Sequence, residues 1–385
     1  MTRTVLFLPQ NDSHAETAAL LEPELAKRGL RSVALGMDDV FHQGLATRLN
    51  GMAVVPSGLS CEHAFYRTSV MRQIQVVAAA RPRVRDWLAG VDAVVAFNDG
   101  ALQRLILTEA RRRRIPTELV LDVMISWETA DEPHSPRYLA LRVLRLVGQA
   151  LGSSTASAFF PSELGLAAVD RMHVAGEHSA GVLRSRGSRA GLVLASGLPL
   201  SPDAENNAPT RVQKVLYLTG AFRWHGDKVT AAAQERDLAD LESVCAELGL
   251  SLVVRVHPRD EAERYAGIRA TFVDPRVESI SATIRNSDLI LSIVSTGLLD
   301  AVLLGKPSRV LAIHPNWSRY RRTFVSDPLF GPIRRVEQLR AALADMAARV
   351  DPAVLDRQRS GLAVYVAATG NEACRRIAAT IGERE

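Results

Sequence analysis

The sequence predicts an α/β protein of two Rossmann-like domains, each a parallel sheet flanked by helices, and three observations predict it. Short apolar runs such as Thr4–Leu8, Val91–Phe97, Lys214–Leu218 and Asp288–Val294 end in polar or glycine-bearing loops and alternate with helix-length segments, which is the spacing of β-α-β units. At 385 residues the chain exceeds a usual single domain. Residues 197–210 gather proline, asparagine and small polar residues, as a linker does. The domains are accordingly 1–200, a linker over 201–212, and 213–355, with C-terminal helices in 356–385.

The elements follow in order. Thr4–Leu8 reads as a buried strand, Asn11-Asp12-Ser13-His14 caps a helix running through Lys27, and Gly29 stops it before a strand at Arg31–Leu35. Met52 to Pro82 is irregular and then helical, and no role is assigned there. Val91–Phe97 is a strand, Asn98-Asp99-Gly100 a tight loop, and Ala101–Arg113 a helix that ends in the run Arg111–Arg114. That run suits a solvated helix end, with attraction to anionic lipid as the sharper alternative. Pro116 precedes a strand at Leu119–Val123, and Ser126-Trp127-Glu128 follows it. Asp131, Glu132 and His134 lie among prolines without a helical ligand spacing, so they read as surface. Arg137–Leu151 is helical by period, and Ser162 caps a further helix.

In the second half, Lys214–Leu218 is a strand ending at Thr219-Gly220, and Phe222-Arg223-Trp224-His225-Gly226 is placed to reach a base or sugar ring. A helix over Thr230–Leu248 leads to the strand Ser251–His257. Ala270–Val273, a short helix ending by Asn286, Asp288–Val294, Ser308–Ile313, Val336–Arg349 and Asn371–Ile381 complete the reading.

Composition narrows the partners. Hydrophobic residues make up 47% and charged residues 23%, which is ordinary for a globular chain. The net charge of +5 suits an anionic ligand or an acidic surface, whereas 5% aromatic residues offer few stacking platforms for nucleic acid. Cys61, Cys245 and Cys374 are far apart and odd in number, and they read as buried thiols of a reducing compartment. No leader-like segment opens the chain, and no apolar run approaches the roughly 20 residues that span a bilayer. The expected location is cytoplasmic, with peripheral membrane association as an alternative.

The chemistry-bearing stretch runs from Leu252-Val-Val-Arg-Val-His-Pro-Arg259 through Ser292-Ile-Val-Ser-Thr-Gly297 to Gly305-Lys-Pro307. Two strands end in polar loops expected to lie side by side at the carboxyl edge of a parallel sheet, where ligands bind. A helix starting at Gly297 would offer unpaired amides and its dipole to a phosphate, beside the hydroxyls of Ser295 and Thr296. His257 adds a donor that titrates near neutrality, and Arg255 shares its side of the strand. Plain helix capping by Ser295 or Thr296, and turn-shaping by His257-Pro258, are the alternatives.

These motifs resemble the His-Pro and serine/threonine motifs of bacterial GT-B-fold transferases, the group of capsule and lipopolysaccharide sialyltransferases and polymer glycerophosphotransferases. Phe97-Asn-Asp-Gly100 resembles the acidic motif of the sialyltransferase branch, with Asn98 where that pattern prefers an acid. The resemblance implies a GT-B-like architecture, with parallel sheets of two Rossmann-like domains facing a central cleft and a last helix crossing back to the first. It implies an inverting glycosyltransferase that uses a nucleotide-activated sugar, a CMP-sialic-acid-like donor being favoured, and a glycan or small-molecule hydroxyl acceptor.

Asp99 is then the first candidate for the base that deprotonates the acceptor, and Asp12 and His14 are the reserves on the acceptor side with Asn98. Donor binding falls to Gly220, Arg255, His257, Pro258, Glu278, Ser295, Thr296 and Gly297, and His257 also takes up leaving-group charge. The sequence contains no Asp-x-Asp pair, so transfer without a metal or other cofactor is expected. The alternatives are a CDP-glycerol-type glycerophosphotransferase, a UDP-sugar 2-epimerase, which shares a late Gly-Lys-Pro loop but whose acidic cluster is not found here, and a nucleotide-binding protein without turnover.

Overall fold

The apolar runs become two all-parallel sheets in the computed structural model, which describes residues 2–42, 44–65, 68–125, 143, 164–224, 226–275, 277–314 and 327–383. The chain divides into a first unit, Met1–Leu200 with Val364–Glu385, and a second unit, Ser201–Ala363.

The first unit holds β1 (Arg3–Leu8), β2 (Leu30–Gly36), β3 (Ala53–Pro56), β4 (Ala93–Ala96), β5 (Thr117–Val120), β6 (Arg171–Val174) and β7 (Leu192–Ala195), in the spatial order β3-β2-β1-β4-β5-β6-β7. Alternation along each strand supplies both faces of the sheet. Val5 and Phe7 join Ala34, Val95 and Phe97 on one face, under α1 (Asp12–Ala26). Leu6 and Leu8 join Leu35, Val94 and Ala96 on the other, under α2 (Ala101–Arg112). Helix α3 (Glu177–Ser185) connects β6 to β7.

The C-terminal helix Gly370–Thr380 packs beside α1, placing Cys374, Ile377, Ala378 and Ile381 in the Val5 face. The two isoleucines alone contribute roughly 3–6 kcal/mol of burial. Arg171 Nη1 fastens the end of the helix by donating to the carbonyls of Thr380 at 2.7 Å and Glu383 at 3.2 Å.

The second unit repeats the topology with β8 (Lys214–Leu218), β9 (Ser251–Arg255), β10 (Thr271–Val273), β11 (Leu289–Ser292) and β12 (Ser308–Val310), ordered β10-β9-β8-β11-β12. Val215, Tyr217, Val254 and Leu291 pack under α4 (Lys228–Glu247) and α7 (Val336–Ala348). Between these helices in the chain come α5 (Ile280–Arg285) and α6 (Gly297–Leu303), and α8 (Pro352–Leu362) packs against α6. In both sheets the order reverses beside the first strand, between β1 and β4 and between β8 and β11, and such switch points open a crevice at the carboxyl edge.

At the amino ends an aspartate before one strand pins its neighbour. Asp92 accepts from Thr4 N–H, Asp170 from Thr117 N–H and Asp288 from Lys214 N–H, each at 2.8 Å. The Asp170 tie draws Thr117 into β5, so that strand starts two residues earlier than its apolar run. β3 has no counterpart among the expected strands, because all four of its residues are exposed at the sheet edge and lack a buried alternation. All three cysteines are buried and free, as the sequence predicts. The expectations for Ser126–His134, for Arg137–Leu151 apart from residue 143, and for Ser162 and His225 fall outside the described residues. Among those described, no helix is long and apolar enough to cross a membrane. Three of the arginines at the end of α2 meet carboxylates: Arg111 with Asp170, and Arg112 and Arg113 with Glu109. The run is therefore a paired helix end.

Candidate active site

At the switch point of the first sheet the loops after β1 and β4 meet through side chains, Asn98 Nδ2 donating to Gln10 Oε1. Asn11 caps α1 by accepting from His14 N–H at 2.9 Å, which sets the imidazole in the first turn over Phe97, with ring centroids 5.5 Å apart. His14 Nδ1 accepts from Gln10 N–H at 3.2 Å, and Nε2 lies 3.6 Å from Asp122 Oδ1, just past the end of β5. Asn11 Nδ2 also lies 3.4 Å from Nε2; the Gln10 N–H at Nδ1 is the contact that puts the lone pair there and, in the neutral ring, the proton on Nε2. A proton taken up at Nδ1 would produce an imidazolium held against Asp122, as in an oriented acid–base couple.

Asp99 is a correction. Its carboxylate is 2% exposed and accepts from Arg104 Nη2 at 2.9 Å and from the backbone N–H of Gly165, Leu166 and Ala167 at 3.1, 3.1 and 2.8 Å. Oδ2 accepts from three of these donors and Oδ1 from Gly165 N–H, so the group ties the 165–167 turn to the β4 loop. Asp12 is half exposed near Arg48 and points to no other chemistry-bearing group. Asn98 serves the link to Gln10.

In the second unit His257 and the Ser295-Thr296 pair stand on one carboxyl edge, but the expectation of adjacent loops needs correction. β8 runs between β9 and β11, so the two loops are separated by two strand spacings, roughly 10 Å. The Thr219-Gly220 loop fills the interval, with Thr219 Oγ1 accepting from His257 N–H at 2.9 Å. His257 Nδ1 accepts from Arg259 N–H at 3.1 Å, which places its proton on Nε2. Pro258 is exposed.

The expected cradle of unpaired amides is also corrected. Helix α6 has only seven residues, and its first amides are taken: Gly297 N–H by Ser295 Oγ at 3.1 Å, Leu298 N–H by Ser295 O at 3.1 Å, and Leu299 N–H by Thr296 O at 2.9 Å. Gly297 instead permits close packing, since a Cβ there would lie 2.5 Å from Leu218 Cδ1. The Gly220 N–H is likewise taken, by Gln234 Oε1 at 2.6 Å. The hydroxyls of Ser295 and Thr296 and the His257 imidazole remain as anion donors at this edge.

Arg255 does not face His257's ligand side. It donates to Glu278 O at 2.7 Å and Thr283 Oγ1 at 2.9 Å, clamping the turn before α5, and burial holds its guanidinium below the ordinary arginine range. Glu278 is placed by that clamp through its carbonyl. Sequence reading missed Asp122 and Gln10; the signal for Asp122 was an acid closing the apolar run Leu119-Val-Leu121.

No protein-family model matches the sequence, and no curated protein sequence matches it. The fold, by contrast, is similar to solved structures over nearly the full length. The glycotransferase of kitacinnamycin has 17% identity over 98% of this chain and 97% of its own, with a TM-score of 0.62. A UDP-glucosyltransferase from Polygonum tinctorium, capable of glucosylating indoxyl, has 14% identity over 98% and 97%, with a TM-score of 0.56. A putative UDP-N-acetylglucosamine 2-epimerase from Listeria monocytogenes has 12% identity over 98% and 95%, with a TM-score of 0.61. The class so defined is the two-domain Rossmann-like α/β fold shared by these proteins, as the sequence predicts.

Proposed function

We propose that this chain is an inverting glycosyltransferase that moves a sugar from a nucleotide-activated donor to a hydroxyl acceptor, with His14 as base and Asp122 as the carboxylate that orients and charges it. The carrying observation is the His14–Asp122 couple, 3.6 Å apart at the carboxyl edge of the first sheet.

In the reaction the acceptor oxygen forms a bond to the anomeric carbon as the bond from that carbon to the donor phosphate breaks. The electron pair leaves with the nucleotide, and the acceptor proton passes to His14 Nδ1 in place of the Gln10 N–H contact. One displacement inverts the centre. The second unit holds the departing phosphate with His257 Nε2–H and the hydroxyls of Ser295 and Thr296.

For the donor, the structural neighbours that act on UDP-sugars favour a UDP-sugar. The CMP-sialic-acid-like donor rests on the short motifs alone, and the glycerophosphotransferase reading has the same narrow footing. The missing Asp-x-Asp pair supports transfer without a divalent ion, and turnover should survive chelation by EDTA.

A second reading, a UDP-sugar 2-epimerase, is favoured by the Listeria structure and by Gly305-Lys306-Pro307. Incubating the full chain with UDP- and CMP-sugars, with and without a panel of hydroxyl acceptors, separates the readings. Acceptor-dependent release of UDP is expected. An isomerised nucleotide sugar formed without acceptor would establish the epimerase, release of CMP would restore the sequence-based donor, and nucleotide binding without any turnover would end the transferase reading.

A further inference from the structure

The second unit carries a cavity of about 570 Å³, lined by Arg309 on β12, by Pro328, Pro332 and Arg334 in the turn before α7, and by Gln338 and Ala342 on α7. None of the residues assigned to donor or acceptor lines it. Among the described residues that line it, none is acidic. Arg309 Nε is shut away from solvent without a hydrogen-bond partner, and Nη1 reaches only Gly331 O, at a long 3.5 Å.

The backbone is shaped around that guanidinium. Gly331 has φ +46, and a Cβ there would lie 2.3 Å from Arg309 Nη1, so any side chain would push the fork out of place. Arg357 stands near enough that it, after burial, helps hold Arg309 below the ordinary arginine range. A buried donor without an acceptor, with a second guanidinium near it, is the arrangement that an oxyanion completes, because a guanidinium fork matches phosphate and carboxylate geometry.

We propose that this cavity is a second ligand site, separate from the nucleotide edge, which takes the oxyanion of a small phosphorylated or carboxylated molecule between Arg309 and Arg334. The prolines and Ala342 give the ligand's body an apolar wall.

Arginine footprinting on the full chain tests it, with phenylglyoxal as reagent, mass spectrometry as readout, and inorganic pyrophosphate or citrate as probe against sodium chloride of equal ionic strength. Pyrophosphate should slow modification of Arg309 and Arg334 at least fivefold while leaving Arg340, exposed on the same helix α7 and paired with Glu247, unchanged. Protection by pyrophosphate alone assigns a phosphoryl ligand, protection by citrate alone a carboxylate ligand, and protection by both a general oxyanion site. Unchanged rates at Arg309 and Arg334, or equal slowing by sodium chloride or at Arg340, would overturn the proposal.

Gln338→Glu provides an independent check that keeps the fold, because Gln338 is exposed and its Oε1, which accepts from Arg334 N–H at 3.0 Å, has a counterpart in glutamate. The new carboxylate should abolish the protection. If Gln338→Glu is protected as strongly as the original chain, the anion binds elsewhere.

Discussion

The two carboxyl edges have the same topology and different chemistry. Both lie where a parallel sheet reverses its order beside its first strand. The first edge gathers an imidazole, a carboxylate and two amides, Gln10, Asn11, His14 and Asp122, in positions suited to moving a proton. The second gathers a histidine and two hydroxyls, with the Gly220, His257 and Gly297 amides already paired, a set suited to holding negative charge. The backbone supplies the place, and the side chains at the strand ends decide what is done there.

The comparison breaks most sharply at His14. His14→Ala should lower turnover by about 10²–10⁴, the usual range for a positioned base, while nucleotide affinity in the second unit is unchanged. Asp122→Asn acts through His14, so the double variant should turn over no more slowly than His14→Ala alone. Parallel rate and binding measurements check both.

The next effect is on stability. Asp99→Ala removes a buried partner of Arg104 and the anchor of three amides, and it should cost about 3–5 kcal/mol in denaturant unfolding, with the folded fraction still active within a few fold. A selective loss of rate at full stability would return Asp99 to the chemistry.

His257→Ala should cost a rate factor of about a hundred to a thousand, the effect of losing one donor to developing charge. Unlike His14→Ala, it should also weaken nucleotide binding.

A further effect on stability lies in the second unit, at Asp237. Burial raises its carboxyl from 3.8 to about 7, against the lowering effect of His314 N–H, which donates to Oδ1 at 2.9 Å. The folded chain therefore keeps a proton that the unfolded chain loses near 3.8, and stability falls as the pH climbs from there to about 7. Asp237→Asn retains the Oδ1 acceptor and should flatten that decline, leaving the variant more stable than the original chain above pH 7. Urea unfolding across that interval reads the slope.

Much of the fold was legible in the sequence because buried parallel strands are continuous apolar runs, and Val5–Leu8, Lys214–Leu218 and Leu289–Ser292 leave little else for those residues to do. β3 was not legible, since an exposed edge strand has no buried pattern. The site was legible in outline and misread in detail for one reason: a polar loop at a strand end shows which groups are nearby but not which lone pairs and protons are already in use. Asp99 and the Gly297 amide look available in the sequence and are consumed in the structure. His14 looks like a capping residue, and the carboxylate beside its ring comes from the Asp122 loop, distant in sequence.

Calorimetric titration of UDP into His14→Ala and His257→Ala tests the division of labour most directly. The account predicts an affinity within twofold of the original chain for His14→Ala and at least tenfold weaker, about 1.4 kcal/mol, for His257→Ala. Equal affinities in the two variants, or a loss confined to His14→Ala, would contradict it.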